Sequence, residues 1–324
     1  MKLFVTGGAG FIGSNFVRWM LRRNSDLQIV NFDKLTYAGN LENLRELEGN
    51  ARYRFVRGDV ANAAEVEEAM RGCDAAVHFA AETHVDRSIR DAFEFLRTNL
   101  QGTYVMLEAA RKLGIKRYVQ ISTDEVYGSL PEGAADEQGH IQPNSPYAAS
   151  KAGADHLVRS YHVTFGLPCL VVRASNNYGP YQFPEKFLPL LITNAMDNQS
   201  LPIYGDGKYV REWLFVEDFC SAIELVLSKG TVGQIYNVGS EVHKINLDVV
   251  QAVLKRMGKP ETLVRHVQDR PGHDRRYAIV SNKVRALGWK PSCTFEEGLD
   301  RTIAWYQANE AWWRPLKQKV MSVA

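Results

Sequence analysis

Short apolar runs alternate with longer helical patterns through the first two-thirds of the chain. Most of these runs are continuously apolar, which is typical of strands buried on both faces of a parallel sheet. They predict six strands, at residues 3–6, 28–33, 53–57, 75–79, 117–122 and 169–173. Helical patterns lie between them, at residues 13–23, 63–71, 99–113 and 150–165. The alternation predicts βαβ units and therefore an α/β fold with a doubly wound parallel sheet.

The pattern becomes less regular after Asn176, where turn-forming residues interrupt the chain more often. Residues 178–184 and 202–207 are rich in glycine, proline and tyrosine and predict loops and turns. Helical patterns return at residues 187–196, 247–257 and 295–308, with one further strand at 233–238. We therefore predict a first domain at residues 1–177, to which residues 213–240 return, and a smaller mixed α/β lobe at residues 178–212 and 241–324.

Composition and charge exclude several classes of protein. The 324 residues carry a formal net charge of +2, which gives no basic surface for a nucleic acid. No apolar run approaches the roughly 20 residues that cross a bilayer, and the chain opens on a strand rather than on a signal peptide. Four scattered cysteines, without a CxxC pair, favour buried thiols over a zinc site or disulfides. We expect a cytoplasmic protein without a metal ion, a nucleic acid or a membrane as partner.

Three glycines, Gly7, Gly10 and Gly13, lie between the first strand and the first helix. They let the backbone turn tightly and approach a pyrophosphate, which the helix N-terminus also attracts. Asp33 ends the second strand, where a carboxylate accepts hydrogen bonds from both ribose hydroxyls and repels a 2′-phosphate. Asp59, after the third strand, is placed to meet the adenine edge. The pattern predicts a Rossmann-type domain that binds NAD rather than NADP.

Two groups of reactive side chains come later in the same domain. Tyr147 and Lys151 are one helical turn apart and share a face, and a lysine ammonium stabilises a neighbouring phenolate. Residues 122–128, Ser-Thr-Asp-Glu-Val-Tyr-Gly, follow the fifth strand, and doubly wound sheets bind ligands at the carboxyl ends of their strands. We therefore predict that Thr123, Asp124, Glu125, Tyr147 and Lys151 are the catalytic residues.

These motifs resemble the extended short-chain dehydrogenase/reductase family. The resemblance rests on the three glycines, on Tyr147 and Lys151, and on residues 176–180, Asn-Asn-Tyr-Gly-Pro. Within the family, the chain is similar to the nucleotide-sugar 4,6-dehydratases at residues 33–40, 80–88, 122–128, 204–213 and 270–277. It departs from their usual pattern at Phe79, Thr83 and Glu212, and none of these changes removes a catalytic group.

The resemblance implies a reaction on a nucleoside diphosphate-glucose. Tyr147 takes the proton of the glucose 4-hydroxyl, which Thr123 holds, while hydride passes from C4 to NAD⁺. Glu125 then removes the C5 proton, which the 4-keto group has made acidic, as Asp124 protonates the departing C6 hydroxyl. Hydride returns to C6, so a 4-keto-6-deoxy sugar leaves and the tightly bound NAD is regenerated. Two adjacent carboxyls can act as acid and base if their environments separate their pKa values.

The resemblance also implies two sets of binding residues. Those for the cofactor are Gly7, Gly10, Phe11, Ile12, Gly13, Asp33, Lys34, Leu35, Thr36, Asp59, Val60, Phe79, Ala80, Ala81, Thr83, Thr98, Tyr147, Lys151 and Asn177. Those for the substrate are Thr83, Thr123, Asn176, Lys186, Leu201, Pro202, Ile203, Tyr204, Arg211, Asn246, Arg270, His273, Asp274 and Tyr277. The cations of the second set suit a pyrophosphate.

Several alternatives stay open at this point. Similarity favours thymidine as the base, but a uridine or cytidine nucleotide would use the same catalytic residues. A nucleotide-sugar 4-epimerase would need Thr123, Tyr147 and Lys151 but no acid–base pair, and a UDP-glucuronate decarboxylase usually has Ser where this chain has Asp124. A catalytically silent NAD-binding scaffold would need none of these groups, and fold alone does not exclude one.

Two further features concern assembly and the C-terminus. The helical patterns at residues 99–113 and 150–165 resemble the pair through which relatives form a four-helix dimer interface, so we expect a homodimer. Residues 312–314, Trp-Trp-Arg, suggest no chemistry, and packing or an interface is their simplest interpretation.

Overall fold

A computed structural model describes the backbone of residues 1–321 and the side chains of residues 1–319. Its strands are β1 Lys2–Thr6, β2 Gln28–Asp33, β3 Tyr53–Arg57, β4 Ala75–His78, β5 Arg117–Thr123, β6 Cys169–Ala174, β7 Asn176–Tyr178, β8 Leu201–Tyr204, β9 Val210–Phe215, β10 Ile235–Val238, β11 His243–Ile245 and β12 Val264–Val267. Seven of them form a parallel sheet in the order β10-β6-β5-β4-β1-β2-β3. The six strands predicted in the first domain are confirmed to within one residue at each end.

Helices surround this sheet and build the second lobe. They are α1 Phe11–Arg23, α2 Ala63–Met70, α3 Val85–Arg90, α4 Phe93–Phe95, α5 Gly102–Leu113, α6 Pro146–Phe165, α7 Phe187–Met196, α8 Val216–Lys229, α9 Asn246–Met257, α10 Asn282–Ala286, α11 Phe295–Ala308 and α12 Glu310–Met321. Short 3₁₀ helices cover Leu41–Leu47, Asp124–Tyr127 and Glu261–Leu263, and a π-helical segment, Leu96–Gln101, leads into α5.

Successive residues of the sheet point to two different hydrophobic cores. Leu3 and Val5 of β1 pack with α1 and α8 on one face, whereas Phe4 packs with α2, α5 and α6 on the other. Parallel strands covered by helices on both faces need apolar residues at every position, which explains their continuous apolar runs. The predicted doubly wound α/β fold is therefore confirmed.

Helix α6 begins four residues earlier than predicted, at Pro146. Ser145 caps it by accepting a hydrogen bond from the backbone N–H of Ala148, and proline suits the first helical turn because it has no N–H to satisfy. Tyr147 and Lys151 consequently lie on the first two turns of one helix.

The second lobe has its own core and two small sheets. Strands β11, β9 and β7 form one sheet, and β12 pairs with β8 in the other. Residues 178–184 and 202–207 were predicted to form loops and turns, and that prediction was wrong for Tyr178 in β7 and for residues 202–204 in β8. Val284 and Trp289 pack into the core beside α1 and α8, although they come late in the chain. The domain boundaries predicted from the sequence stay a prediction.

Candidate active site

A cavity of about 320 Å³ opens at the carboxyl ends of the central strands. All five residues predicted to be catalytic line it, as do the glycines after β1 and the end of β2. This position is the one that doubly wound sheets use for ligands, because the loops there diverge to either side of the sheet. The cavity is therefore the candidate active site.

The glycine-rich loop forms a backbone cradle that a larger residue would fill. Gly7 has a φ of +69°, and a Cβ there would lie 2.6 Å from the backbone nitrogen of Ala80. A Cβ on Gly13 would lie 2.2 Å from the carbonyl oxygen of Gly7. Because the loop can close this tightly only with glycine, its backbone can approach a ligand pyrophosphate, and the residues present fit a dinucleotide.

Asp33 receives two hydrogen bonds from neighbouring backbone groups. Ala9 N donates to Oδ2 at 2.9 Å, and Leu35 N donates to Oδ1 at 2.8 Å. Burial raises the pKa of Asp33, whereas these two N–H groups lower it. The carboxyl is thereby held in one orientation at the edge of the cavity, where a ribose would meet it.

The other residues predicted for the cofactor line the same cavity, with one exception. Leu35 does not reach the cavity and contributes its backbone N–H to Asp33. Asp59 lines it with a paired carboxylate, 2.9 Å from Lys34 and 2.6 Å from Arg97. Although burial raises the pKa of Asp59, its hydrogen bonds lower that pKa below the usual value.

Tyr147 and Lys151 are buried side by side on α6. Lys151 Nζ donates to the carbonyl oxygen of Ile121 at 2.6 Å, and burial lowers the pKa of Lys151 to about 8. Burial raises the pKa of Tyr147, and Glu125 and other carboxylates raise it further. A hydrogen bond with Thr123 lowers it by less, so the pKa lies above its ordinary value. Tyr147 is consequently protonated at neutral pH.

Asp124 and Glu125 begin the 3₁₀ helix after β5, and their surroundings differ. Asp124 is 3% exposed; burial raises its pKa well above the usual range, and the nearby Glu125 and Glu212 raise it further. Burial also raises the pKa of Glu125, but Arg270 and other cations act in the opposite direction. The two environments therefore favour a protonated Asp124 beside a Glu125 that ionises more readily.

Several buried polar atoms that line the cavity have no hydrogen-bond partner in the protein. They are Ser122 Oγ, Asp124 Oδ2, Ser175 Oγ, Asn176 Oδ1, Asn177 Oδ1, Gln182 Oε1 and Glu185 Oε1. Such atoms are costly to bury, and a polar ligand in the cavity would satisfy them. Ser122 and Ser175 were absent from the predicted site residues.

The residues predicted for the substrate divide into two groups. Thr83, Thr123, Asn176 and Lys186 line the cavity, and Lys186 Nζ donates to the carbonyl oxygen of Thr83 at 3.0 Å. The remaining ones lie outside its lining: Leu201, Pro202, Ile203, Tyr204, Arg211, Asn246, Arg270, His273, Asp274 and Tyr277.

Members of this second group bond mainly to one another and to nearby loops. Arg211 donates to the carbonyl oxygens of Val210 and Asp274, and Asp274 accepts a hydrogen bond from Tyr277 at 2.7 Å. Leu201 and Ile203 are buried in the core of the second lobe, which leaves only their backbone for a ligand. Two polar atoms of this group, Asn246 Oδ1 and Arg270 Nε, are buried without a hydrogen-bond partner among the described residues.

Glu185 is a cavity residue that the sequence reasoning missed. Its side chain is 5% exposed, and Oε2 accepts a hydrogen bond from Arg87 at 2.9 Å, while Oε1 is buried without a hydrogen-bond partner. Arg87 in turn stacks on Tyr37, 3.8 Å from the ring centre. Its position next to Lys186 was a possible signal. A sequence does not distinguish that arrangement from an ordinary glutamate and lysine on the protein surface.

The structure also bears on metal ions and membranes. Among the described residues, no group of three or more His, Cys, Asp or Glu side chains is arranged to hold a metal ion. No helix within residues 1–321 combines the length and the apolar character needed to span a bilayer.

Comparison with known proteins agrees with this fold. The family model described as GDP-mannose 4,6 dehydratase matches residues 4–302. A dTDP-glucose 4,6-dehydratase of Streptomyces niveus is 52% identical and covers 98% of this chain and 96% of its own length. The chain therefore belongs to the dTDP-glucose 4,6-dehydratase family of nucleotide-sugar-modifying enzymes, which confirms the resemblance predicted from the motifs.

Solved structures of related nucleotide-sugar enzymes are also similar to this chain. The dTDP-glucose 4,6-dehydratase of Streptomyces venezuelae, crystallised with NAD, is 48% identical with a TM-score of 0.96, covering 98% of this chain and all of its own. A UDP-glucose 4-epimerase of Thermus thermophilus, also crystallised with NAD, is 33% identical with a TM-score of 0.88, covering 95% of this chain and all of its own. The fold is shared with epimerases, so the catalytic residues must separate the two activities.

Proposed function

We propose that this chain is an NAD-dependent 4,6-dehydratase that converts dTDP-glucose to dTDP-4-keto-6-deoxyglucose, a step of deoxysugar biosynthesis. The observation that carries the proposal is the buried Asp124 next to the half-buried Glu125, in the same cavity as Tyr147. An elimination of water across C5 and C6 needs an acid and a base there, whereas a 4-epimerase needs only the base at the 4-hydroxyl. The dTDP-glucose 4,6-dehydratases among its relatives support the same reaction.

The cofactor would bind along the glycine-rich loop, with Asp33 at its adenosine ribose and with Tyr147 and Lys151 at its reactive end. NAD⁺, when bound, would supply a hydride acceptor for C4 and a positive charge beside Tyr147, and the reduced cofactor would supply the hydride for C6. That charge opposes the effect of burial on the pKa of Tyr147, so the phenol can give up its proton and accept the one from the 4-hydroxyl.

Asp124 and Glu125 act on the second half of the reaction. Glu125, whose ionisation the nearby cations favour, takes the C5 proton. Asp124, which burial keeps protonated, gives its proton to the departing C6 oxygen. Both carboxyls belong to one 3₁₀ turn and line the same cavity, where one sugar would meet both.

The substrate diphosphate would meet Lys186 and Arg270, two of the three cations that lower the pKa of Glu125. Arginine and lysine suit this role because each donates charged hydrogen bonds to phosphate oxygens. The nucleoside would lie beyond them, among the residues from Leu201 to Tyr204 and Asn246, and thymidine remains the favoured base.

The first test incubates the purified protein with dTDP-glucose in D₂O without added NAD and follows the product by NMR. A 4-keto-6-deoxy product with deuterium at C5 is expected, because Glu125 exchanges its proton with solvent. UDP-glucose and CDP-glucose are run in parallel, and turnover of either in place of dTDP-glucose would reassign the base. If none of the three reacts, even with NAD supplied, the dehydratase proposal is wrong.

The enzyme is also proposed to be a homodimer that pairs through α5 and α6. Five apolar side chains on and beside these helices are exposed: Phe93, Leu96, Tyr104, Val163 and Phe165. A second copy that covers them would bury a patch that is costly to leave in water. Light scattering should give twice the mass of the chain, and a monomer at micromolar concentration would contradict this assembly.

A cytoplasmic location is proposed as well. The four cysteines Cys73, Cys169, Cys220 and Cys293 are free thiols, which a reducing compartment preserves. Cell fractionation should find the protein with cytoplasmic markers, and recovery from an oxidising compartment would contradict this location.

A further inference from the structure

Trp312, one of the two C-terminal tryptophans that suggested no chemistry, belongs to an aromatic cluster with Tyr181, Trp305 and Tyr306. The ring centres of Trp305 and Trp312 are 5.0 Å apart, and Tyr181 lies 4.5 Å from Trp305. Arg18 of α1 stacks on the outer face of Tyr181, with its guanidinium carbon 3.8 Å from the ring centre. The cluster therefore packs the last two helices against the helix that follows the glycine-rich loop.

One member of this aromatic cluster is linked by hydrogen bonds to the glycine-rich loop itself. Trp312 Nε1 donates to Asn43 Oδ1 at 2.8 Å, and Asn43 Nδ2 donates to the carbonyl oxygen of Ala9 at 2.8 Å. Asn43 is 1% exposed, so water does not replace these bonds easily. Asp33 accepts a hydrogen bond from the N–H of Ala9, so the N–H and the carbonyl of Ala9 are both held by side chains.

We propose that Trp312 is a positioning residue for the cofactor, acting through Asn43 to hold the glycine-rich loop in its binding conformation. The proposal rests on the NAD site of the proposed function and on no feature of the sugar site. A loop that is already ordered does not have to be ordered by the ligand, so NAD binds more tightly and leaves more slowly. Trp312 has no contact with the five catalytic residues, so turnover with NAD bound should not depend on it.

The test replaces Trp312 by phenylalanine, which keeps a ring in the aromatic cluster and removes the hydrogen bond to Asn43. The matched control is Trp305→Phe, the same change in a neighbouring ring that contributes aromatic contacts to the cluster. NAD retained per chain is measured after purification, and the Kd for NAD is measured on stripped protein without any sugar. We expect W312F to weaken NAD binding about three- to tenfold, the effect of one lost buried hydrogen bond, and W305F to bind like the wild type.

Two further measurements separate this role from general destabilisation. At saturating NAD, W312F should keep the wild-type kcat, because the catalytic residues are intact. In the Asn43→Ala background, W312F should have little further effect on the Kd, since the pathway through Asn43 is already lost. An unchanged Kd in W312F would overturn the proposal, and so would an equal loss in W305F. A wild-type protein that binds no NAD would instead overturn the proposed function.

Discussion

Arg270 donates a hydrogen bond to Asp86 across 3.2 Å, and this ion pair joins the second lobe to helix α3 beside the active site. Asp86 also accepts a hydrogen bond from Tyr204 at 3.2 Å. Both Arg270 and Tyr204 are predicted contacts of the substrate. A substrate diphosphate that takes Arg270 must therefore compete with a carboxylate that already holds it.

Asp86→Asn should lower the KM for dTDP-glucose and leave kcat unchanged. The amide keeps a hydrogen-bond acceptor for Tyr204 but removes the charge that competes for Arg270. Because the pair is partly exposed, we expect a change of about two- to fivefold. Steady-state kinetics at constant ionic strength measure it. Asp206→Asn, which removes the charge from an exposed pair with Arg275, serves as the control; an unchanged or higher KM in D86N alone would contradict the competition.

Asp124→Asn and Glu125→Gln should stop the reaction at different points. In D124N, Glu125 can still exchange the C5 proton after oxidation at C4, but the C6 oxygen lacks its acid, so product formation falls by a factor of about 10² or more. In E125Q, both the exchange and the product should be lost. NMR in D₂O measures both quantities on the same sample.

The NAD content of the two variants is the control for this comparison. It should match the wild type, because neither carboxyl holds the glycine-rich loop. Rapid C5 exchange catalysed by E125Q would show that another group is the base.

The large parallel sheet could be predicted from the sequence because each of its strands has a pattern that can be recognised within a few consecutive residues. Continuous apolar runs locate β1 to β6, and only the ends differ, as at β5, which extends to Thr123. Strands β7 and β8 give no such signal, because Asn-Asn-Tyr and Leu-Pro-Ile-Tyr are not continuous apolar runs. Each is a strand because of a distant partner, β9 for the first and β12 for the second.

The candidate site was predictable at the level of residue types but not of their pairings. Asp124, Glu125, Tyr147 and Lys151 stand in recognisable motifs, and the fold brings all four to one cavity. No periodicity relates Arg270 to Asp86, which are 184 positions apart in the chain. Such ion pairs, and the burial that shifts a pKa, exist only once the chain has folded.

The activity should decline as the pH rises through about 8. Burial lowers the pKa of Lys151 to about 8, and Asp155 is the charge that opposes this effect. Above that pH the ammonium beside Tyr147 is lost, and with it a charge that favours the phenolate. The pH profile of kcat measures this decline. A profile that stays flat to pH 10 would show that the pKa of Lys151 is not lowered in the working enzyme.

Lys151 should also contribute to the pH dependence of stability, with a defined sign. Between about pH 8 and the usual lysine pKa of about 10.4, the side chain is neutral in the folded state and protonated in the unfolded state. The unfolded state then binds more protons, so this contribution to the free energy of unfolding rises with pH. Urea unfolding at several pH values measures it, and Lys151→Met should remove this part of the slope.

The buried pair Asp155 and Arg173 should hold α6 against β6 and the catalytic turn. Their atoms Oδ2 and Nε are 2.8 Å apart, both side chains are 3% exposed, and Arg173 also donates to the hydroxyl of Tyr127. Removing one partner leaves an uncompensated buried charge, so we expect D155N and R173M each to lower the free energy of unfolding by about 3–5 kcal/mol. The double variant should lose much less than the sum of the two, because neither charge is then stranded. Urea titrations of the four proteins measure this coupling, and losses that simply add would show that the two residues act independently.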